Sequence, residues 1–234
     1  MLGVDPLTIS SLMVLAASNP VCSIPSPAQI NVIPKSSAVK YDYSKSLAAL
    51  QAEQVDTINP YGFHGTSITN GFASSPISIE PKISMNYKYL PQYGGYCLWY
   101  EKIDIHINVD PTITIATELA KDSCKSKAVR DHELKHVRVS KMIVNKYAKT
   151  MGSKVFNALQ QRGFVAGPIP QNSAQEMQTR MAETVQQIVE FEFRKMQLDH
   201  EEQQQAVDSL AEYERVNALC PNFDYSSALK SKGR

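Results

Sequence analysis

The hydrophobic positions of the chain change their period partway along. Between residues 75 and 117 three segments alternate β-branched or aromatic residues with polar ones: ISIEPKISMNYKYL, YCLWYEKIDIHINV and TITIA. A period of two puts one side of an extended chain on a core, so these segments read as strands. Turn chemistry at Pro91 to Gly95 (PQYGG) and at Asp110-Pro111 predicts a small antiparallel meander over 75–117. Beyond it the period becomes helical. Val129, His132, His136, Val139, Ile143, Tyr147, Met151, Val155 and Leu159 recur at steps of three and four. Gly163 to Asn172 (GFVAGPIPQN) interrupts the stripe, and a second begins at Ser173 and continues through Met177, Met181, Val185, Val189, Phe193, Met196, His200, Val207 and Leu210. Two long helices on so short a connection are expected to pack antiparallel. The predicted fold class is α+β: a β-meander packed on a helical hairpin over 118–217, with 75–217 forming one domain. Residues 22–74 read as an irregular Ser, Pro and Asn-rich region with one short helix from Tyr43 to Glu53, and 218–234 as a tail.

Composition narrows the function classes. Of 234 residues 43% are hydrophobic and 20% charged, which suits a packed core and excludes fibrous or grossly disordered composition. Basic and acidic residues number 24 and 23, a formal charge of +1, so no field collects nucleic acid or anionic lipid. No apolar run is long enough for a polytopic membrane protein. The nearest is Leu7 to Ala17 (LTISSLMVLAA), of signal-peptide length, with Ala16 and Ser18 at small cleavage positions before Pro20. No Lys or Arg precedes Lys35 and Asp5 is acidic, so the basic flank of a signal peptide is missing. Segment 1–21 therefore reads as signal-like or disordered, and the location as secreted or periplasmic with the cytoplasm as alternative. Cys22, Cys97, Cys124 and Cys220 contain no Cys-x-x-Cys pair, against a zinc ribbon or a dithiol redox site. Their even number permits two bridges; Cys97 with Cys124 is favoured because it would staple the strand region to the helical half.

The candidate chemistry lies at His132-Glu133-Leu134-Lys135-His136. Helix positions four apart differ by about 40° of rotation and about 6 Å of rise, so both imidazoles leave one face. Imidazole nitrogens suit Zn²⁺, and three protein ligands with one open position make a catalytic site. Glu133 would then act as general base toward water activated by the ion. If the hairpin bends near residue 167 or 168, the position opposite 134 is 200 or 201. His200 is the expected third ligand to one zinc per chain and Glu201 the alternative, with Glu192, Glu202 and Glu212 inside the error of helix boundaries. Asp131, Asp199 and Asp208 are candidate acceptors for the second ring N–H of a ligand histidine, and Tyr213 is a candidate oxyanion donor. His64, in YGFHG, and His106, in a strand, read as surface or half-buried residues.

His132-Glu133-x-x-His136 resembles the zinc motif of the zincin metallopeptidases. Ile113 to Val139 (ITIATELAKDSCKSKAVRDHELKHVRV) resembles an uncharacterised bacterial family of predicted secreted zinc-dependent proteases, in which strands lead into a Ser-Cys helix start and then the zinc motif. Val207 to Val216 (VDSLAEYERV) is similar to the Asp-x-x-x-Glu-Tyr signature of that family's C-terminal helix. The resemblance covers roughly residues 95 to 220. It implies His132 and His136 as ligands, Glu133 as general base, and a peptide or protein substrate. Lys135 departs from it, at a position zincins keep uncharged, and no Gly-x-x-His follows to give the metzincin layout. A third ligand far downstream is closer to the gluzincin layout, where it is Glu, which keeps His200 and Glu201 both open.

The expected activity is peptide-bond hydrolysis, with the strand Lys102 to Val109 as a candidate edge that aligns the substrate by β-augmentation. No nucleic acid partner and no membrane insertion beyond the signal-like segment are expected. The competing readings are a non-catalytic zinc-binding envelope protein, which Lys135 favours, and a helical interaction module. The polar breaks Glu192, His200 and Gln203 in the second stripe count against the latter.

Overall fold

The computed structural model describes residues 21–23, 26–53 and 68–225. The signal-like segment Leu7 to Ala17, His64 and the end of the expected tail lie outside them. The elements are β1 (Gln29–Ser36), β2 (Lys40–Asp42), α1 (Leu47–Ala52), β3 (Gly71–Ser74), β4 (Ile77–Leu90), β5 (Gly95–Val109), β6 (Thr112–Ile115), α2 (Ser123–Arg162), β7 (Val165–Pro170), α3 (Gln171–Val207) and α4 (Leu210–Ala218). The class is α+β. No helix among the described residues is long and apolar enough to cross a membrane.

The alternating segments form β4, β5 and β6 but not one meander. β5 lies between β1 and β4 and also pairs with β7, whereas β6 joins a separate sheet of order β2-β6-β3. The Asp110-Pro111 break is thus no hairpin: the chain leaves one sheet there and enters another. β5 is central, so Lys102 to Val109 is not a free edge. The region expected to be irregular supplies β1, β2 and β3; β1 (QINVIPKS) escapes a period-two reading because its buried residues Ile30 and Asn31 are adjacent. The short helix is confined to Leu47–Ala52, where the Ser46 side chain accepts from Ala49 N–H and caps it.

Contacts gather the chain into two discontinuous units. Of the described residues, the first holds those up to Lys35, Ser78–Asn108 and Val144–Gln197. Ile103, Ile105 and Ile107 alternate inward along β5, and Met151, Val155 and Leu159 of α2 with Met181, Val185 and Val189 of α3 are buried as the helical period requires. β7 pairs antiparallel with the start of β5, from Gly95↔Pro170 to Trp99↔Val165. Gly167 sits there with φ 122°, and a Cβ at that position would lie 2.3 Å from Tyr96 O, so only glycine permits the approach. Cys22 and Cys97, both 2% exposed, form a disulfide in this unit with Cα atoms 5.5 Å apart.

Tyr100 is also buried there, its hydroxyl donating to Met181 O at 2.8 Å. Burial pushes its pKa up to about 12 from 10.0. A raised folded pKa stabilises the protein below the unfolded value and loses that contribution as pH rises through the folded one. Stability is therefore expected to fall between about pH 10 and 12 by on the order of 2–3 kcal/mol, and Tyr100→Phe to remove that alkaline slope in denaturant titrations.

The second unit comprises the described residues of Ser36–Ile77, Val109–Ile143 and those from Leu198 on. Its core joins Leu47 and Leu50 of α1, Ile113 and Ile115 of β6, Leu119, and Val129 and Val137 of α2. That apolar face of α2 leaves His132, His136 and Ser140 on another face, toward the end of α3 and α4. Cys124, in the first turn of α2, is bonded to Cys220 just beyond α4, with Cα atoms 6.0 Å apart. The expected Cys97–Cys124 bridge is thus corrected: the two cysteines belong to different units, and each is already bonded to a partner near in space and far in sequence.

Candidate metal centre

Three side chains converge in the second unit. His132, His136 and Asp208 are all buried, and one ligand atom from each lies within 4.8 Å of the others. Asp208 Oδ1 is 3.2 Å from the Nε2 atoms of both His132 and His136. Donors bound to a tetrahedral zinc at about 2.0–2.1 Å stand about 3.3 Å apart, so the two spacings to Asp208 suit coordination edges as well as N–H···O hydrogen bonds.

The opposite ring nitrogens support the same conclusion. His132 Nδ1 faces Glu212 Oε1 at 3.2 Å, and His136 Nδ1 faces Gln204 Oε1 at 2.6 Å. The Gln204 amide is oriented by its other end, because Nε2 donates to His136 O at 3.1 Å and to His200 Nε2 at 2.8 Å. Both rings therefore meet oxygen acceptors at both nitrogens. A neutral imidazole carries only one N–H, so each ring satisfies its surroundings either as a cation or by giving the Nε2 lone pair to one. With Nδ1–H donated to Glu212 and to Gln204, the two Nε2 atoms and Oδ1 are a donor set that fits a zinc ion.

The electrostatics follow. Burial alone would lower both histidine pKa values, but the Asp208 hydrogen bonds and the Glu133 charge outweigh it and raise them. Burial opposes ionisation of Asp208 as well, and the hydrogen bonds from His132 and His136 still bring it down to about 2. Glu133, 5% exposed, is pushed up to about 6 by burial, against the histidines and a hydrogen bond from Ala73 N–H that favour its charged form. Ala73 lies in β3, so the Glu133 carboxylate meets that strand and also feels the charges of His132, His136 and Asp208.

Glu212 is the orienting carboxylate for His132. Arg215 donates to both its oxygens at 2.7 and 2.8 Å and Lys135 reaches it at 2.7 Å; the Arg215 hydrogen bond foremost holds its pKa far below the carboxylate range. Lys135, the departure from the zincin pattern, thus serves Glu212. Tyr213 stands with its ring 5.7 Å from that of His132. Asp131 pairs with Lys127, and Asp199 is half-buried on α3.

His200 is not among the converging donors. Its Nε2 lies 2.9 Å from Ser140 Oγ and accepts from Gln204, one turn along from the histidine pair, and Glu201 is exposed. His132 faces Asp208, His136 faces Gln204 and Ser140 faces His200, so the helices run in opposite directions here. The residue opposite 134 is about six positions beyond the expected 200, roughly 9 Å of helix. The connection is the cause: β7 is an extended strand and not a symmetric turn, so α3 starts displaced along α2. The stripe also breaks. α3 ends at Val207, Ser209 caps α4 by accepting from Glu212 N–H, and Asp208 sits in the joint. Asp208, Glu212 and Tyr213 are the three named positions of the Asp-x-x-x-Glu-Tyr stretch, a signal that could have placed the third donor here, where Asp208 was expected only as an acceptor for a ring N–H.

Matched against protein-family models, curated proteins and solved structures, the chain finds no counterpart in any of the three.

The disulfide fastens this arrangement. α4 has nine residues, too few for a stable isolated helix, and it docks through a small cluster of Ala128, Val216 and Cys220. If the site holds a divalent ion, Cys124→Ser with Cys220→Ser is expected to weaken its retention about 10- to 100-fold, read by competition with a chelating dye, because Glu212 and Asp208 lose their fixed position. Both disulfides fit a protein that matures in an oxidising compartment.

Proposed function

We infer that this chain is a zinc-dependent peptidase of a secreted or periplasmic setting, built on an antiparallel helical hairpin and related in its motif to the zincins. The observation that carries the reading is the convergence of His132, His136 and Asp208 on one point, with a buried carboxylate, Glu133, following the first ligand in sequence. His132, His136 and Asp208 would hold the ion. Zinc supplies a Lewis acid for the scissile carbonyl and lowers the pKa of water toward about 7. Glu133 takes the proton of the attacking water and returns it to the leaving amine. Ala73 N–H steadies the Glu133 carboxylate for that role, while Glu212 and Gln204 fix the histidine tautomers.

A structural zinc site is the second reading, favoured by the burial of all three donors, each less than a tenth exposed. The two separate cleanly. The purified chain is expected to carry zinc and to cleave a denatured protein substrate, to lose both properties on dialysis against a chelator, and to recover both when zinc is restored. Zinc content that returns without any cleavage assigns the site to structure.

A further inference from the structure

β4 is a strand of 14 residues with no buried position, its burial alternating between half-buried and exposed before becoming almost wholly exposed toward its C-terminal end. Among the described residues it has a neighbour, β5, on one side only. A long edge whose backbone donors and acceptors face outward is a template for another strand, and monomeric proteins blunt such edges. β4 carries some of those devices, since Pro81 has no N–H to give, Lys82 and Lys88 are charged, and Tyr87 N–H is engaged by Asn86 Oδ1 at 2.9 Å, but the rest of its outer edge and its side chains suit a strand of matching pattern. One face carries Ile79, Ile83 and Met85 and continues into Tyr87 and Tyr89, which are 69% and 47% exposed; the other carries the strand's only charges, Glu80, Lys82 and Lys88.

Those charges discriminate between occupants and registers. Against a second copy of itself, β4 can pair antiparallel about a two-fold axis through any residue. An axis at Met85 sets Lys82 against Lys88 twice, and one at Lys82 sets two lysines face to face. An axis at Ser84 sets Glu80 against Lys88 on both sides of the dyad and Lys82 against Asn86. The same register puts Tyr87 opposite Pro81, Tyr89 opposite Ile79 and Ile83 opposite Met85, cross-strand pairs of the favourable aromatic and aliphatic kinds. It also engages nearly the whole strand. An axis at Pro81 matches Glu80 with Lys82 but gives Tyr87 and Tyr89, whose rings pack on Tyr96 of β5, no partner on the second strand.

We propose that β4 is the surface through which two copies of this chain associate, pairing antiparallel about Ser84 into one continuous sheet. The association is independent of the metal centre. Light scattering on size-exclusion fractions of the full chain is expected to show a dimer. Glu80→Lys and Lys88→Glu, both at exposed positions, should each raise the dissociation constant at least about tenfold, because the two-fold axis converts two attractive pairs into two repulsive ones. The double reversal, Glu80→Lys with Lys88→Glu, should restore the wild-type constant. Circular dichroism confirms that each variant is folded. A wild-type chain that is monomeric at its highest soluble concentration overturns the proposal and leaves the edge to a strand from a different protein. A dimer unmoved by the single reversals, or not restored by the double one, overturns it equally.

Discussion

Asp208→Ala is expected to leave a folded chain that does not retain the zinc proposed for this site. Elemental analysis after dialysis is expected to find one zinc per wild-type chain and none in the variant, with affinity lowered by more than the roughly 10- to 100-fold typical of losing a supporting residue. Two neutral imidazoles hold a divalent cation without compensating charge, and Asp208 is the carboxylate whose oxygen lies within 3.2 Å of both Nε2 atoms. Glu212 does not replace it, because Arg215 and Lys135 occupy its oxygens on the Nδ1 side of His132. Added zinc should raise the unfolding temperature of the wild type and leave that of the variant unmoved, since a ligand stabilises only the state that binds it. His200→Ala makes the contrast. Its contacts are with Ser140 and Gln204, so the ion stays, held less tightly to the extent that Gln204 loses its orientation. Zinc lost with His200 and kept without Asp208 would return the third-ligand role to the histidine.

The contrast between these two residues shows what the sequence carries. The histidine pair and Glu133 are legible because four-residue spacing on a helix is a local property, fixed by backbone geometry wherever the helix goes. β4, β5 and β6 are legible for the same reason, as an alternating strand keeps its period in any sheet. The partner of the pair is not local. It depends on how far the connection between two long helices displaces one along the other, and a six-residue strand does so differently from a turn of equal length. The pairing of cysteines fails likewise: Cys97 and Cys124 are closest in sequence, while the bonds join residues 75 and 96 positions apart. Lys135 is a different case. Its type was legible and its meaning was not, because a lysine beside a metal motif argues against catalysis until a carboxylate, here the half-buried Glu212, is found for it.

Glu133→Gln separates chemistry from metal binding. The substitution keeps the shape of the side chain and an oxygen to accept from Ala73 N–H, and it removes only the capacity to take a proton. One zinc per chain is expected to remain, while peptide hydrolysis falls by about 10²–10⁴-fold, the usual worth of a positioned general base. The same change should stabilise the metal-free fold. Burial raises the Glu133 pKa from 4.5 to about 6, so its protonated form contributes stability below about pH 4.5 that is lost as pH rises through about 6. At neutral pH the buried carboxylate is therefore a cost of about 2 kcal/mol, which the amide does not incur. Denaturant unfolding in chelator, wild type against variant, reads it directly: the variant is expected to be the more stable above pH 6 and to lose that advantage toward pH 4. A carboxylate held where its charge destabilises the fold is what the proposed general-base role would ask of Glu133, a stability cost of the kind that activity imposes on a site. Hydrolysis undiminished in Glu133→Gln, with zinc still bound, would remove Glu133 from the reaction.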